Sequence, residues 1–175
     1  ISQFRIEAKV SELAKQISGN YLLRHGSNPK YVEIGNLTVI GILTGAVPFV
    51  VDLTRQIGIP IKIDFVGLSS YGDQFKPGEL SWKKRLSIPI TPEGDVLIVE
   101  DIVDTGLTMQ AIVEYISSFE PRLLETCTLL DKSSKRMVKV HLDYIGFTIP
   151  DVFVYGYGMD YKGYYRELQE IRSLE

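Results

Sequence analysis

A single cysteine among 175 residues, Cys127, excludes an internal disulfide and any zinc site built on several thiolates. It stands in the run LLETCTLL, which reads as a buried strand with an inert thiol, because no motif sets His25 or His141 beside it. Excess positive charge is also missing. Lysine and arginine total 19 against 22 acids, a formal charge of -3, so the chain has no electrostatic footprint for nucleic acid or an anionic membrane. The short basic runs Lys83-Lys84-Arg85 and Lys135-Arg136 read as solvated faces, and any anionic ligand must therefore be small. No apolar run approaches the roughly 20 residues that cross a bilayer, and the first residues lack a signal-peptide layout. A reducing cytoplasm is the expected setting. What remains is an ordinary globular composition, 45% apolar and 23% charged, in a length that suits one domain and excludes a disordered or fibrous class.

Periodicity supplies the elements. Ile6, Val10, Leu13, Ala14, Ile17 and Tyr21 recur at three and four, which predicts an amphipathic helix ending near HGSNP. LTVIGILT (37–44) is a compact β-branched run and reads as a buried strand, followed by a helix from about Pro48 to Ile57. IKIDFVGL (61–68) is a further strand. Residues 69–81, SSYGDQFKPGELS, form a long loop of the kind that serves as a lid or binding segment. WKKRLSIPI then supplies one arm of a hairpin, with Pro89 at an edge. A strand at 95–99, a helix at 107–119, a strand at ETCTLL and a strand-rich end broken by Pro150 and glycines complete the chain. Strands alternating with helices argue for a parallel sheet covered on both faces.

The stretch VLIVEDIVDTGLTM (96–109) carries the chemistry. In open α/β sheets ligands bind beyond the carboxyl ends of strands, and a glycine turn feeding a helix offers backbone N–H groups to a phosphate. DTGLT suits that place: Gly106 permits close backbone approach, and Thr105 and Thr108 add hydroxyls. Taken alone it could equally be a simple turn. It is not a nucleoside triphosphate loop, because Leu107 stands where the Walker pattern needs lysine. One phosphate is the natural load. Glu100 and Asp101 could accept hydrogen bonds from vicinal hydroxyls or support a divalent metal, and carboxylates near a sugar stabilise an oxocarbenium-like transition state. A phosphorylated ribose meets these demands together.

These residues resemble the 5-phosphoribosyl 1-pyrophosphate signature of the type I phosphoribosyltransferases, and IPDVFVYGYGMDYKGYYRELQEI resembles the C-terminal segment of the hypoxanthine-guanine branch. The similarity runs from about residue 38 to the end. It implies a Rossmann-like α/β fold with a parallel sheet flanked by helices, a core at about 37–148, a small hood from the N-terminal segment and about 149–175, and a flexible flap. It further implies transfer of phosphoribose to N9 of hypoxanthine or guanine with Mg2+, releasing pyrophosphate, and a homodimer or homotetramer.

By the same resemblance Glu100 and Asp101 hold the ribose hydroxyls directly or through a metal, Asp104 handles the proton at purine N7, and Thr105, Gly106, Leu107 and Thr108 cradle the 5-phosphate. Lys132 donates to the exocyclic O6, Phe153 stacks on the ring and the Val154 backbone reads the base edge. Asp160 matches a Mg2+ position and Arg166 a pyrophosphate contact, with Thr44 and Gly45 in the pyrophosphate loop. A non-proline cis bond is expected there, at Thr44-Gly45. Ser70 and Tyr71 match the flap's Ser-Tyr motif, whose closure would exclude water. Two positions depart from the pattern: Thr44 and Leu107 stand where basic residues are common, so metal and Arg166 would carry more of the neutralisation. Two rivals remain: an enzyme of this fold for xanthine or adenine, and a non-catalytic sensor of the ribose pyrophosphate. Such sensors usually carry an added DNA-binding domain or a basic face; neither is expected here, and the acid at Asp104 is retained.

Overall fold

The computed structural model describes residues 1–26, 36–69 and 81–174; the flap positions Ser70 and Tyr71 lie outside them. Helix α1, Gln3–His25, buries the six residues that its periodicity selects and ends at Gly26, whose φ of +94° suits glycine. Six strands form one sheet: β1 Leu37–Ile42, β2 Ile61–Ser69, β3 Ser81–Lys84, β4 Asp95–Val103, β5 Leu123–Asp131 and β6 Tyr144–Thr148. Their spatial order is β3-β2-β1-β4-β5-β6. The five strands from β2 to β6 in that order run parallel, while β3 pairs antiparallel with β2 at the edge, as the hairpin reading anticipates.

Helices cover both faces. Leu37 and Val39 of β1 and Leu97 and Val99 of β4 pack with α1 and with α2, Val47–Thr54. The alternate residues Ile40, Ile42, Val96 and Ile98 pack with α3, Leu107–Ser117, through Met109, Ile112 and Ile116. Burial on both sides is why β1 reads as an unbroken apolar run and all six of its residues are buried. Helix α2 ends three residues before Ile57, because the N–H groups of both Gln56 and Ile57 turn back onto the Leu53 carbonyl.

The sheet order fixes where a ligand can enter. From β1 the chain passes through α2 to β2 on one side, and from β4 through α3 to β5 on the other. The connections leaving β1 and β4 therefore diverge, opening a crevice at their carboxyl ends. Beyond β6 a small second sheet pairs β7, Val154–Tyr155, with β8, Arg172–Ser173, and Ile171 N–H donates to the Ile1 carbonyl at 2.9 Å.

Candidate active site

The loop after β1 forms one wall of the crevice. Its cis peptide joins Leu43 to Thr44, one bond earlier than the Thr44-Gly45 bond expected from the sequence. Gly45 faces the neighbouring strand so closely that a Cβ there would sit 2.0 Å from Asp101 Oδ2. On its other side the Gly45 carbonyl lies 2.0 Å from where a Cβ on Gly158 would be, and Gly158 has a φ of +97°. Only glycine fits either position. The loop after β1 is thus clasped between β4 and the C-terminal segment.

Strand β4 forms the floor. It continues to Val103, four residues past the 95–99 span read from the sequence, because parallel pairing with β5 persists to Val103 and Asp131. Glu100 and Asp101 therefore lie inside the last turn of pleat rather than beyond it. Successive side chains of a strand point to opposite faces, so the two acids serve different compartments. Glu100 is buried, and its Oε2 has no hydrogen-bond partner among the described residues. Burial pushes its carboxyl well above the usual range, Asp101 adds repulsion, and Arg136 opposes both. Asp101 is pushed up to about 6, first by burial, against its own backbone N–H, that of Ile102 and the charge of Arg166.

Past β4, Asp104, Thr105 and Gly106 make the turn into α3. Gly106 is left-handed at φ +87° and serves as the helix N-cap. The turn, with Glu100 and Thr108, lines a cavity of about 80 Å³. The Thr105 hydroxyl is partly engaged by Leu107 N–H at 3.4 Å. On the other side of Asp104 opens a larger cavity of about 380 Å³, lined by Thr44, Gly45, Asp101, Lys132, Phe153 and Arg166 among others. Asp104 lines both cavities. Its Oδ2 lies 3.6 Å from Lys132 Nζ, and its Oδ1 has no hydrogen-bond partner among the described residues.

Lys132 is not the surface lysine that it would be if seen alone. It is 6% exposed, and its N–H donates to the Val103 carbonyl, which ties the end of β5 to the end of β4. Phe153 stays half exposed, edge-on to Tyr161, with one face available to a planar ligand. Val154 follows it in β7. Asp160 and Arg166 pair at 2.7 Å, and Arg166 also donates to the Gly158 carbonyl at 2.6 Å. Every predicted site residue outside 70–80 thus borders one of the two cavities or, like Leu107, stands beside one that does. Sequence reasoning missed Met159 and Gly158; the glycine-rich run YGYGM was the available signal. It also took Arg136 for a solvated side chain. Arg136 pairs with Asp131, and the two approach because Arg136 follows Asp131 by five residues across a 3-10 turn, Ser133–Lys135.

The model of the phosphoribosyl transferase domain family matches residues 2–162. The chain belongs to the phosphoribosyltransferase family. Its relatives include the hypoxanthine phosphoribosyltransferase of Haemophilus influenzae, 39% identical over 99% of this chain and 93% of that one. The hypoxanthine-guanine phosphoribosyltransferase of Mycobacterium avium is 41% identical over 98% and 82%. Among solved structures, a variant of the hypoxanthine phosphoribosyltransferase of Trypanosoma cruzi, complexed with the product IMP, superposes with a TM-score of 0.89. That chain is 35% identical, and the match covers 99% of this chain and 88% of that one.

Proposed function

We propose that this phosphoribosyltransferase makes IMP or GMP by moving 5-phosphoribose from 5-phosphoribosyl 1-pyrophosphate to N9 of hypoxanthine or guanine. The observation that carries the reading is the position of Asp104 between the two cavities, with Lys132 3.6 Å away on the side of the larger one. A buried ammonium has only donors, so it matches a 6-oxo group and repels the 6-amino group of adenine. The relatives named for hypoxanthine support the same base class.

In this reading Thr105, Gly106, Leu107 and Thr108 hold the 5-phosphate with backbone N–H groups and hydroxyls at the start of α3. Glu100 and Asp101 accept from the ribose hydroxyls. Thr44, Gly45 and Arg166 face the pyrophosphate, and Phe153, the Val154 backbone and Lys132 fix the base. As the bond from C1 to pyrophosphate breaks, positive charge grows at C1 beside the β4 carboxylates. N9 forms the new bond, and Asp104 accepts the proton that the purine loses at N7. No protein nucleophile is required. Ser70 and Tyr71, with the loop around them, are assigned to closing the site against water.

The donor set fits Mg2+. Mg2+ would be held by one or two carboxylates together with substrate oxygens and water. Asp160, and Glu100 or Asp101 through the ribose, are the groups assigned to it; Glu100 Oε2 is buried with no hydrogen-bond partner among the described residues. Bound Mg2+ neutralises charge on the departing pyrophosphate. We also assign about 37–148 to the core, the chain ends to a hood, and a homodimer or homotetramer to the assembly.

The test is a spectrophotometric assay with the ribose pyrophosphate, Mg2+ and hypoxanthine, guanine, xanthine or adenine in turn. Turnover of hypoxanthine and guanine well above adenine is expected; activity on adenine alone, or none on any base, would remove the reading.

A further inference from the structure

Behind the phosphate turn lies a cation to which the reading above gives no role. Arg136 donates through Nη2 to Asp131 Oδ1 at the end of β5, and its side chain is only 18% exposed. Its Nη1 is buried and has no hydrogen-bond partner among the described residues. A Cβ built on Gly106 would lie 3.0 Å from Arg136 Cδ and 3.2 Å from Nη1, so the arginine packs directly against the turn. A buried donor without an acceptor is destabilising in itself, and an arginine kept only for packing gains nothing from it.

The residues that follow Arg136 orient the same turn. Met137 and Val138 N–H both donate to the Thr105 carbonyl, at 2.9 and 3.3 Å. In a trans peptide the carbonyl and the next N–H point in opposite directions. Tying down the Thr105 carbonyl therefore turns the Gly106 N–H away from the 137–138 strap, at a turn whose Thr105, Gly106 and Thr108 line the small cavity. Leu107 contributes no charge there, although an anion is to be bound.

We propose that Arg136 is a positioning residue for the 5-phosphate: clamped to Asp131, it backs the Thr105-Gly106 peptide and sets a fixed positive charge behind the cradle. This rests on the functional reading given above. A guanidinium stays ionised when buried, and its field is screened less there than that of a surface lysine would be. The charge sits behind the backbone and not in the cavity, so its effect falls chiefly on phosphate affinity, with a smaller part on the ribose through Glu100, whose carboxyl it holds down, and leaves the base side alone.

Isothermal titration of wild type, Arg136→Met and Arg136→Lys with IMP and with inosine, which lacks the phosphate, separates these effects. Arg136→Met is expected to weaken IMP by about tenfold or more, with inosine changed by no more than about twofold. The KM for the ribose pyrophosphate should rise while that for hypoxanthine, at saturating ribose donor, holds. Arg136→Lys keeps the charge but loses the fork, so it should fall between the two and carries the test if the Met variant does not fold. Equal loss for IMP and inosine would mark a merely structural arginine and overturn the proposal, as would IMP affinity unchanged in either variant. Wild type unable to bind IMP would overturn the functional reading and this inference together. An active wild type beside an indifferent Arg136→Met would overturn the inference alone.

Discussion

Asp104 is partly exposed, lines both cavities, and has one oxygen near Lys132 and one with no partner among the described residues, so it is open to a proton from the ligand. Asp104→Asn keeps the shape and loses the proton acceptor. Steady-state kinetics should show turnover falling by about 10²- to 10⁴-fold, the usual worth of general acid-base catalysis, while titration with IMP shows affinity kept within a few-fold. Gly45 gives a prediction of a different kind. A methyl group there would meet the Asp101 carboxylate, so Gly45→Ala must displace either the loop or the acid. The expected outcome is a raised KM for the ribose pyrophosphate with the circular dichroism spectrum unchanged, since the clash is confined to the crevice. Lys132, which the resemblance sets among the base contacts, is buried where the end of β5 meets the end of β4.

At the scale of elements, Asp64 of β2 is tied to the far end of β3 and to the residues that follow it. Lys84 Nζ donates to Asp64 Oδ1 at 2.8 Å, and the N–H groups of Ser87 and Ile88 reach Asp64 Oδ2. Burial alone would push the Asp64 carboxyl up, but Lys84 and the backbone N–H groups of Ile88, Phe65 and Ser87 outweigh it and bring it down to about 2. A folded value below the unfolded one means that the stabilisation is complete above the unfolded value, near 3.8, and is lost as pH falls through about 2. The shift corresponds to roughly 2 kcal/mol at neutral pH. Urea unfolding of Asp64→Asn should show a loss of that order at pH 7, and the gap to wild type should close between about pH 4 and pH 2. The basic run 83–85 is therefore not wholly the solvated face that its composition suggests: Lys84 serves the sheet edge. No pattern in sequence marks it, because Asp64 and Lys84 are 20 residues apart and meet only through an antiparallel register with a bulge at Gly67 and Leu68.

Across the whole molecule the site is assembled from the ends of β1, β4 and β5 and from the segment around β7, so a ligand in it bridges parts that the sheet alone does not join. A nucleotide that binds only the folded form should raise the melting temperature, by about 5–8 °C at a hundredfold excess over Kd for a chain of this length. Scanning calorimetry with IMP and Mg2+ checks it, and an unmoved transition would contradict a site of this composite kind. The alternation of strands and helices, the six buried residues of α1, the parallel sheet and the acids and turn of 100–108 were all legible beforehand, because periodicity and turn chemistry are local properties of a chain. The extension of β4 through its acids and the pairing of Asp64 with Lys84 were not. Each of these depends on which strands become neighbours and in what register, and that is settled only when the sheet closes its hydrogen bonds and the helices bury its two faces.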